Sequence, residues 1–191
     1  MELTDYHRGD VEVHAWDPTT PEVFEFVRTK IAEVLPGVRV EHIGSSAVPG
    51  MPGKNYVDVM VLPEDPAALG GTAAEIDRLG LEHARGYRPE RPFFVTAAQH
   101  DSRATNVHVY VIIDGADEAI TQHGLAEALR ADPKLRDEYA AVKRQVVETG
   151  TTDPVRYSMD KGDWVDRVIR GLGLPPLPDP GPPPSQYLRD K

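Results

Sequence analysis

The residues best equipped for chemistry lie between His42 and Leu62. Gly44, Ser45 and Ser46 follow His42 almost at once, and Gly53 and Lys54 close the same connection before the strand-like run Tyr56 to Leu62. A loop that holds phosphate needs glycine, so that the backbone can approach an anion with its N–H groups turned inward, and a serine hydroxyl adds a donor. Both are present. The arrangement is not a Walker A loop, because Gly53-Lys54 lacks the following Ser or Thr and the glycine five places earlier. In a strand alternate residues share a face, which sends Val57, Val59 and Val61 toward a core and Asp58 and Met60 toward the loop. An aspartate there can carry a metal ion. Equally, the glycines and prolines can build no more than a tight connection, with Asp58 a solvated or ion-paired strand residue.

Phosphate also needs counter-charge. Lys54 stands beside the loop, Arg91 and Arg103 flank two strand-like runs, and Arg130, Lys143 and Lys161 lie on later helical segments. Tyr139 with Lys143, and Tyr157 with Lys161, are four apart and so share a helix face. Each pair can aim a ring and an ammonium at one pocket, the ring lying on a base or packing the lysine stem. The plainer reading is an amphipathic helix that packs its Tyr and solvates its Lys. His108 has two readings as well: a ligand or general base near neutral pH, or a strand histidine satisfied by hydrogen bonds. His7, His14, His83, His100 and His123 show no HExxH-like spacing. Trp16 and Trp164 are expected to pack, and no Gly-x-Ser-x-Gly elbow of a serine hydrolase is present.

The elements that must position these groups alternate strand and helix at the front and turn helical at the back, which predicts a mixed α/β domain with an appended helical part. A short strand is expected over 11–15, a helix over 21–35 with Thr20 as its cap, and a strand over 38–43. Asp65-Pro66 opens a helix to about Leu79, and a strand follows over 81–87. The runs 92–97 and 105–113 read as antiparallel neighbours. Helices are expected over 117–131, 133–149 and 154–171, two of them started by Asp132-Pro133 and Asp153-Pro154. The proline-rich segment 175–191 reads as a flexible tail beyond a single domain over 1–174.

The 191 residues contain no cysteine, which excludes disulfides, thiolate metal sites and cysteine nucleophiles and points to the cytoplasm. No basic n-region or long apolar run suggests secretion or a membrane span. A formal net charge of -10 argues against a broad nucleic-acid face but leaves room for a local cationic cluster around a small phosphorylated ligand.

The run His42-Ile43-Gly44-Ser45-Ser46-Ala47-Val48-Pro49-Gly50-Met51-Pro52-Gly53-Lys54, closing on Val57-Asp58-Val59, resembles the signature of the GrpB-like family, HIGSTAVPGLxAKPxIDI. The resemblance continues through Asn106-Val107-His108-Val109, Leu129-Arg130-Ala131-Asp132-Pro133 and both Tyr-x-x-x-Lys pairs, and covers roughly residues 10–172. It implies the nucleotidyltransferase (polymerase-beta-like) superfold, a mixed sheet flanked by helices with C-terminal helices. Some family members are fused to dephospho-coenzyme A kinase. Superfold relatives transfer a nucleoside monophosphate from a nucleotide triphosphate, with carboxylates holding magnesium. Here the second carboxylate position is Met60 and the third falls at His108, so the implied site is incomplete. The expectation is a metal-dependent (Mg2+ or Mn2+) nucleotidyltransferase-like enzyme acting on a nucleotide triphosphate and a small-molecule acceptor. Asp58 and His108 would be its catalytic and metal residues, and His42, Gly44, Ser45, Ser46, Lys54, Arg91, Arg103, Arg130, Tyr139, Lys143, Tyr157 and Lys161 would surround the ligand. The alternative is a non-catalytic module of the same fold that binds a nucleotide or phosphometabolite and regulates an unknown partner enzyme.

Overall fold

Valines at every second position along 57–61 bury one face of a strand that carries Asp58 on the other, and the architecture grows from that strand. The structure, a computed structural model, describes residues 1–178 together with 187 and 188. Among the described residues the strands are β1 (Glu2–Thr4), β2 (Arg39–Ile43), β3 (Val57–Leu62), β4 (Glu82–His83), β5 (Phe93–His100) and β6 (Arg103–Val111). The helices are α1 (Thr20–Val34), α2 (Leu69–Asp77), α3 (Asp117–Ala131), α4 (Pro133–Glu148), α5 (Pro154–Asp160) and α6 (Gly162–Gly171).

The strands form one mixed sheet in the order β1-β5-β6-β3-β2, with β4 paired to β5. The β3–β6 pair is parallel and sets Asp58 opposite His108, while β2 runs antiparallel to β3 and sets Ile43 opposite Asp58. The mixed α+β architecture expected from the sequence, a mixed sheet flanked by helices, is therefore present. On one face α1 and α2 cover the sheet, packing Val23, Val27, Ile31, Ala73 and Ile76 on Val57, Val59, Val61 and the valines of β6. Removing these side chains from water, at roughly 1.5–3 kcal/mol for a fully buried Val or Ile, is what fixes the register.

The other face divides in two. Met60 is buried with Ile43, Leu62, Ile112 and Ala119 beneath α3, whereas Asp58, His108 and Tyr110 are only partly covered. Beside that opening, Val48 and Met51 leave the 44–55 connection and plug into the helical part among Leu129, Tyr139, Trp164 and Ile169. The apolar residues of the loop thus fasten α3, α4 and α6 over the polar face of the sheet.

Several elements differ from expectation. The segment 11–15 makes one antiparallel bridge, His14 to Gly53, because its partner is a turn-rich loop in which Pro52 has no N–H to extend a ladder. The strand over 81–87 shrinks to Glu82–His83, cut short where Gly86 and Arg88 take positive φ. The helix after Asp65 begins as a 3₁₀ turn over Pro66–Ala68 before α2. The last helix breaks at Lys161, ahead of Gly162, into α5 and α6. Most of the expected tail lies outside the described residues. Of what remains, Pro175 O accepts a hydrogen bond from Thr121 Oγ1 at 2.7 Å, and the Tyr187 ring lies 5.6 Å from that of Tyr87.

Candidate functional site

The connection from β2 to β3 turns first at Gly44, whose φ of +70° lies where only glycine is comfortable. A methyl group there would also strike the Asp58 carboxylate, so Gly44 is required twice, by the turn and by the close approach of β3. Ser45–Ala47 then form a short 3₁₀ turn whose carbonyls are tied to the surroundings. Trp16 Nε1 donates to Ser46 O at 3.0 Å, Thr20 Oγ1 donates to the same oxygen at 3.3 Å, and Arg130 Nε donates to Ala47 O at 2.9 Å. His42 stacks on Phe24 with ring centroids 4.8 Å apart, and its Nε2 lies 2.9 Å from Ser46 Oγ. Burial, aided by Arg130, outweighs the attraction of Asp58 and Glu25 and pushes His42 down to about 4, so it is neutral at physiological pH.

Asp58 and His108 are brought together by the parallel pairing of β3 with β6, with Asp58 Oδ1 3.3 Å from His108 Nδ1. Tyr6 OH lies 3.1 Å from His108 Nε2, and Tyr110 OH donates to Asp58 Oδ1 at 3.5 Å. Burial lowers the His108 pKa, with Lys54 adding to the effect against the pull of Asp58, so the imidazole is neutral. A carboxylate can only accept here, which assigns the proton to Nδ1 and lets Nε2 accept from Tyr6. Burial alone would raise the Asp58 carboxyl, but His108, Lys54 and Lys161 outweigh it and hold the group ionised.

Three lysines stand around this carboxylate. Lys54 Nζ lies 4.4 Å from the centre of the Tyr56 ring, Lys143 Nζ 4.7 Å from that of Tyr139, and Lys161 Nζ 4.9 Å from that of Tyr157. Lys161 also faces Tyr139 at 5.9 Å, and Lys54 faces Tyr157 at 5.9 Å, so the three sites share rings. Ring faces attract cations without neutralising them as a carboxylate would. Lys143 is 1% exposed, and its ammonium is buried with no hydrogen-bond partner. A Cβ built on Gly53 would lie 3.5 Å from Lys143 Nζ and 3.0 Å from Ser45 Oγ, which places the buried amine beside the Gly-Ser turn. Burial, then Lys161 and Arg144, push Lys143 down to about 6 against the attraction of Asp58. Burial and Lys161 bring Lys54 to about 8, and burial lowers Lys161 as well.

The arginines are placed differently from the lysines. Arg91 pairs with Glu118 at 2.5 Å and lies 5.1 Å from the Tyr110 ring centre. Arg103 pairs with the buried Asp17. Arg130 serves the loop backbone, adding a 3.5 Å contact from Nη2 to His42 O. The tyrosines carry lysines rather than an open face for a base: Tyr139 is stacked on Trp164 at 4.5 Å on its other side. Tyr6, Tyr56 and Tyr110 belong to the site although the sequence did not single them out. His108 and Tyr110 share a face of β6 by simple alternation, a signal that was available; Tyr6 lies in an irregular segment that offers none.

A resident magnesium or manganese ion does not fit these residues. Met60 is 0% exposed within an apolar cluster, both nitrogens of His108 have partners, and among the described residues no three His, Cys, Asp or Glu are grouped to share an ion. What remains is one carboxylate among three lysines.

Residues 10–170 match the family described as GrpB protein. A UPF0157 protein of Pseudomonas aeruginosa is 32% identical over 168 residues, covering 83% of this chain and 66% of that protein. The crystal structure of the conserved protein GrpB from Enterococcus faecalis superposes with a TM-score of 0.69 at 22% identity, over 84% of this chain and 96% of that one. The Cid1 poly(U) polymerase with MgGTP bound gives a TM-score of 0.53 at 14% identity, over 69% and 43% of the respective chains. At these identities the structural likeness is one of fold. Among the described residues no helix is long and apolar enough to cross a membrane.

Proposed function

The chain belongs to the GrpB family, and on that footing we propose that it binds the phosphate groups of a nucleotide between the Gly44–Ser46 turn and the ammoniums of Lys54, Lys143 and Lys161. The observation that carries this reading is Lys143, a buried amine with no hydrogen-bond partner beside a Gly-Ser turn. Such a group is costly without a partner, and an arriving anion supplies one that is charge-assisted. The nucleotidyltransferase-like fold supports a nucleotide as the source of that anion, and the cysteine-free sequence is in keeping with work in the cytoplasm. Thermal unfolding of the full chain with and without ATP, GTP, CTP and UTP tests it. A ligand that binds only the folded state at about 100 times its Kd adds about 2.7 kcal/mol, a rise of several degrees in Tm. No shift with any of the four, at any magnesium level, removes the proposal.

A second reading makes the site a transferase that moves a nucleotidyl group onto a small-molecule acceptor. Asp58 favours it, being held ionised with its side chain 25% exposed. Magnesium or manganese is the ion that chemistry would call for, and it would have to arrive with the nucleotide. Pyrophosphate release in the presence of a small-molecule extract is the readout. Loss of release in Asp58→Asn with nucleotide affinity retained supports transfer, whereas release at full rate from that variant removes Asp58 from the reaction.

A further inference from the structure

The side chains that a divalent ion would call on in this site are turned to other partners. The strand position two residues beyond Asp58 is Met60, sealed against Ile43, Leu62, Ile112 and Ala119. Asp58 Oδ1 faces His108 and Tyr110, and its other oxygen lies against Gly44. The imidazole of His108 is held between Asp58 and Tyr6. Positive charge already surrounds the carboxylate, since Lys54 and Lys161 both act to keep it ionised. A dication brought there would be repelled by the same ammoniums that attract a phosphate.

We infer that Lys54, Lys143 and Lys161 take the place of a divalent ion as the counter-charge for the bound phosphate, so that the site captures a polyanionic phosphate in its metal-free form. The inference rests on the phosphate-binding reading above and adds the form in which the ligand is taken. Its geometric basis is the shared rings. Lys161 faces both Tyr139, which also carries Lys143, and Tyr157, which also faces Lys54. Three amines are thereby gathered at one place and held by π faces that leave their N–H groups free to donate. The carboxylate of Asp58 offsets part of this charge in the empty protein and keeps the cluster compatible with folding. With two or more negative charges, a phosphate chain neutralises the remainder, and Lys143 supplies a donor from the buried side.

Isothermal titration of the full chain with inorganic tripolyphosphate, once in excess EDTA and once in excess magnesium, tests the inference. The expected result is binding in EDTA at least as tight as in magnesium, because chelation of the ligand removes charge that the lysines would otherwise meet. Lys143→Met and Lys161→Met are each expected to weaken binding in EDTA by about tenfold or more, the scale of one charge-assisted hydrogen bond. Retained cooperative thermal unfolding shows that each variant is folded, and if one does not fold, the other decides. Binding that appears only with magnesium overturns the metal-free clamp and leaves the phosphate site standing. Equal EDTA affinity in both folded lysine variants overturns the role given to the cluster. Absence of binding under both conditions removes this inference together with the reading beneath it.

Discussion

Lys143 and Lys161 direct their ammoniums at one ring, that of Tyr139, at 4.7 and 5.9 Å from its centre, while Trp164 stacks on the ring at 4.5 Å. Protonated together, the two would repel each other and the ring would offset that only in part; burial and this repulsion push Lys143 down to about 6. Such a pair is a poor way to stabilise a fold and a good way to await an anion.

The first prediction follows from that imbalance. Lys143→Met replaces a buried amine without a hydrogen-bond partner by an apolar chain of similar length, removing a desolvation penalty of about 1–3 kcal/mol or more. The ligand-free variant should be more stable than the parent, by roughly 2–4 °C in Tm per kcal/mol for a chain of this size. Urea unfolding with and without tripolyphosphate checks both halves: higher stability alone, lower stabilisation by ligand. A variant that is destabilised in both would make Lys143 an ordinary structural residue.

The same lysines give a pH dependence whose sign can be worked out. Lys143 falls from 10.5 to about 6 on folding, and Lys54 from 10.5 to about 8. Between each folded value and 10.5 the unfolded chain holds a proton that the folded chain does not, so the stability of the empty protein rises with pH across that window, by at most about 1.4 kcal/mol per pH unit per group. His42, pushed down to about 4, acts only below its ordinary 6.5 and leaves the range above pH 7 to the lysines. Urea unfolding between about pH 7 and 9 should show the rise. Phosphate binding restores the charge on Lys143, so it should take up protons, and affinity should strengthen as pH falls from about 9 toward 7. Calorimetry in buffers of different ionisation enthalpy reads that uptake directly, and a net release of protons would contradict it.

Gly44→Ala tests the turn. The added methyl must occupy a positive φ of +70° and the space of the Asp58 carboxylate together. A backbone strain of about 1–3 kcal/mol is expected before the clash is counted. Phosphate affinity should fall more than stability does, because relief of the strain and the clash shifts the Gly44–Ser46 turn whose N–H groups are proposed to meet the phosphate. Unfolding and tripolyphosphate titration on one preparation separate the two effects.

Much of this site was legible before any coordinates. Alternation along 57–61 put Asp58 on the face opposite the valines, and the four-residue spacing of Tyr157 and Lys161 survives as a 4.9 Å contact although the helix breaks between them. The break itself has a signal in Gly162, a poor helix former at the point where α5 gives way to α6. What sequence cannot rank is which cations are left over after folding. Arg91 and Arg103 look as suitable for phosphate as any lysine until Glu118 and Asp17 reach them, and those carboxylates are distant in the chain. Met60 shows the same limit: alternation gives its face correctly, but only packing by Ile43, Leu62, Ile112 and Ala119 shows that part of that face to be a second core.

Arg130 gives the sharpest division between touching a ligand and holding the loop that does. Its guanidinium donates to Ala47 O at 2.9 Å and reaches His42 O at 3.5 Å, so it braces the Gly-Ser turn from behind. Arg130→Ala leaves Ala47 O in the turn and His42 O at the end of β2 without that partner and should lower stability by about 1–3 kcal/mol. Phosphate affinity should fall with it, by loss of loop geometry rather than of counter-charge. Arg130→Lys keeps the charge but replaces a planar fork by a single ammonium that cannot serve both carbonyls. It should therefore bind tripolyphosphate nearly as poorly as Arg130→Ala, and with no change in the salt dependence of binding. If Arg130→Lys instead restores parental affinity and Arg130→Ala flattens the salt dependence, Arg130 meets the phosphate itself and belongs with the lysines.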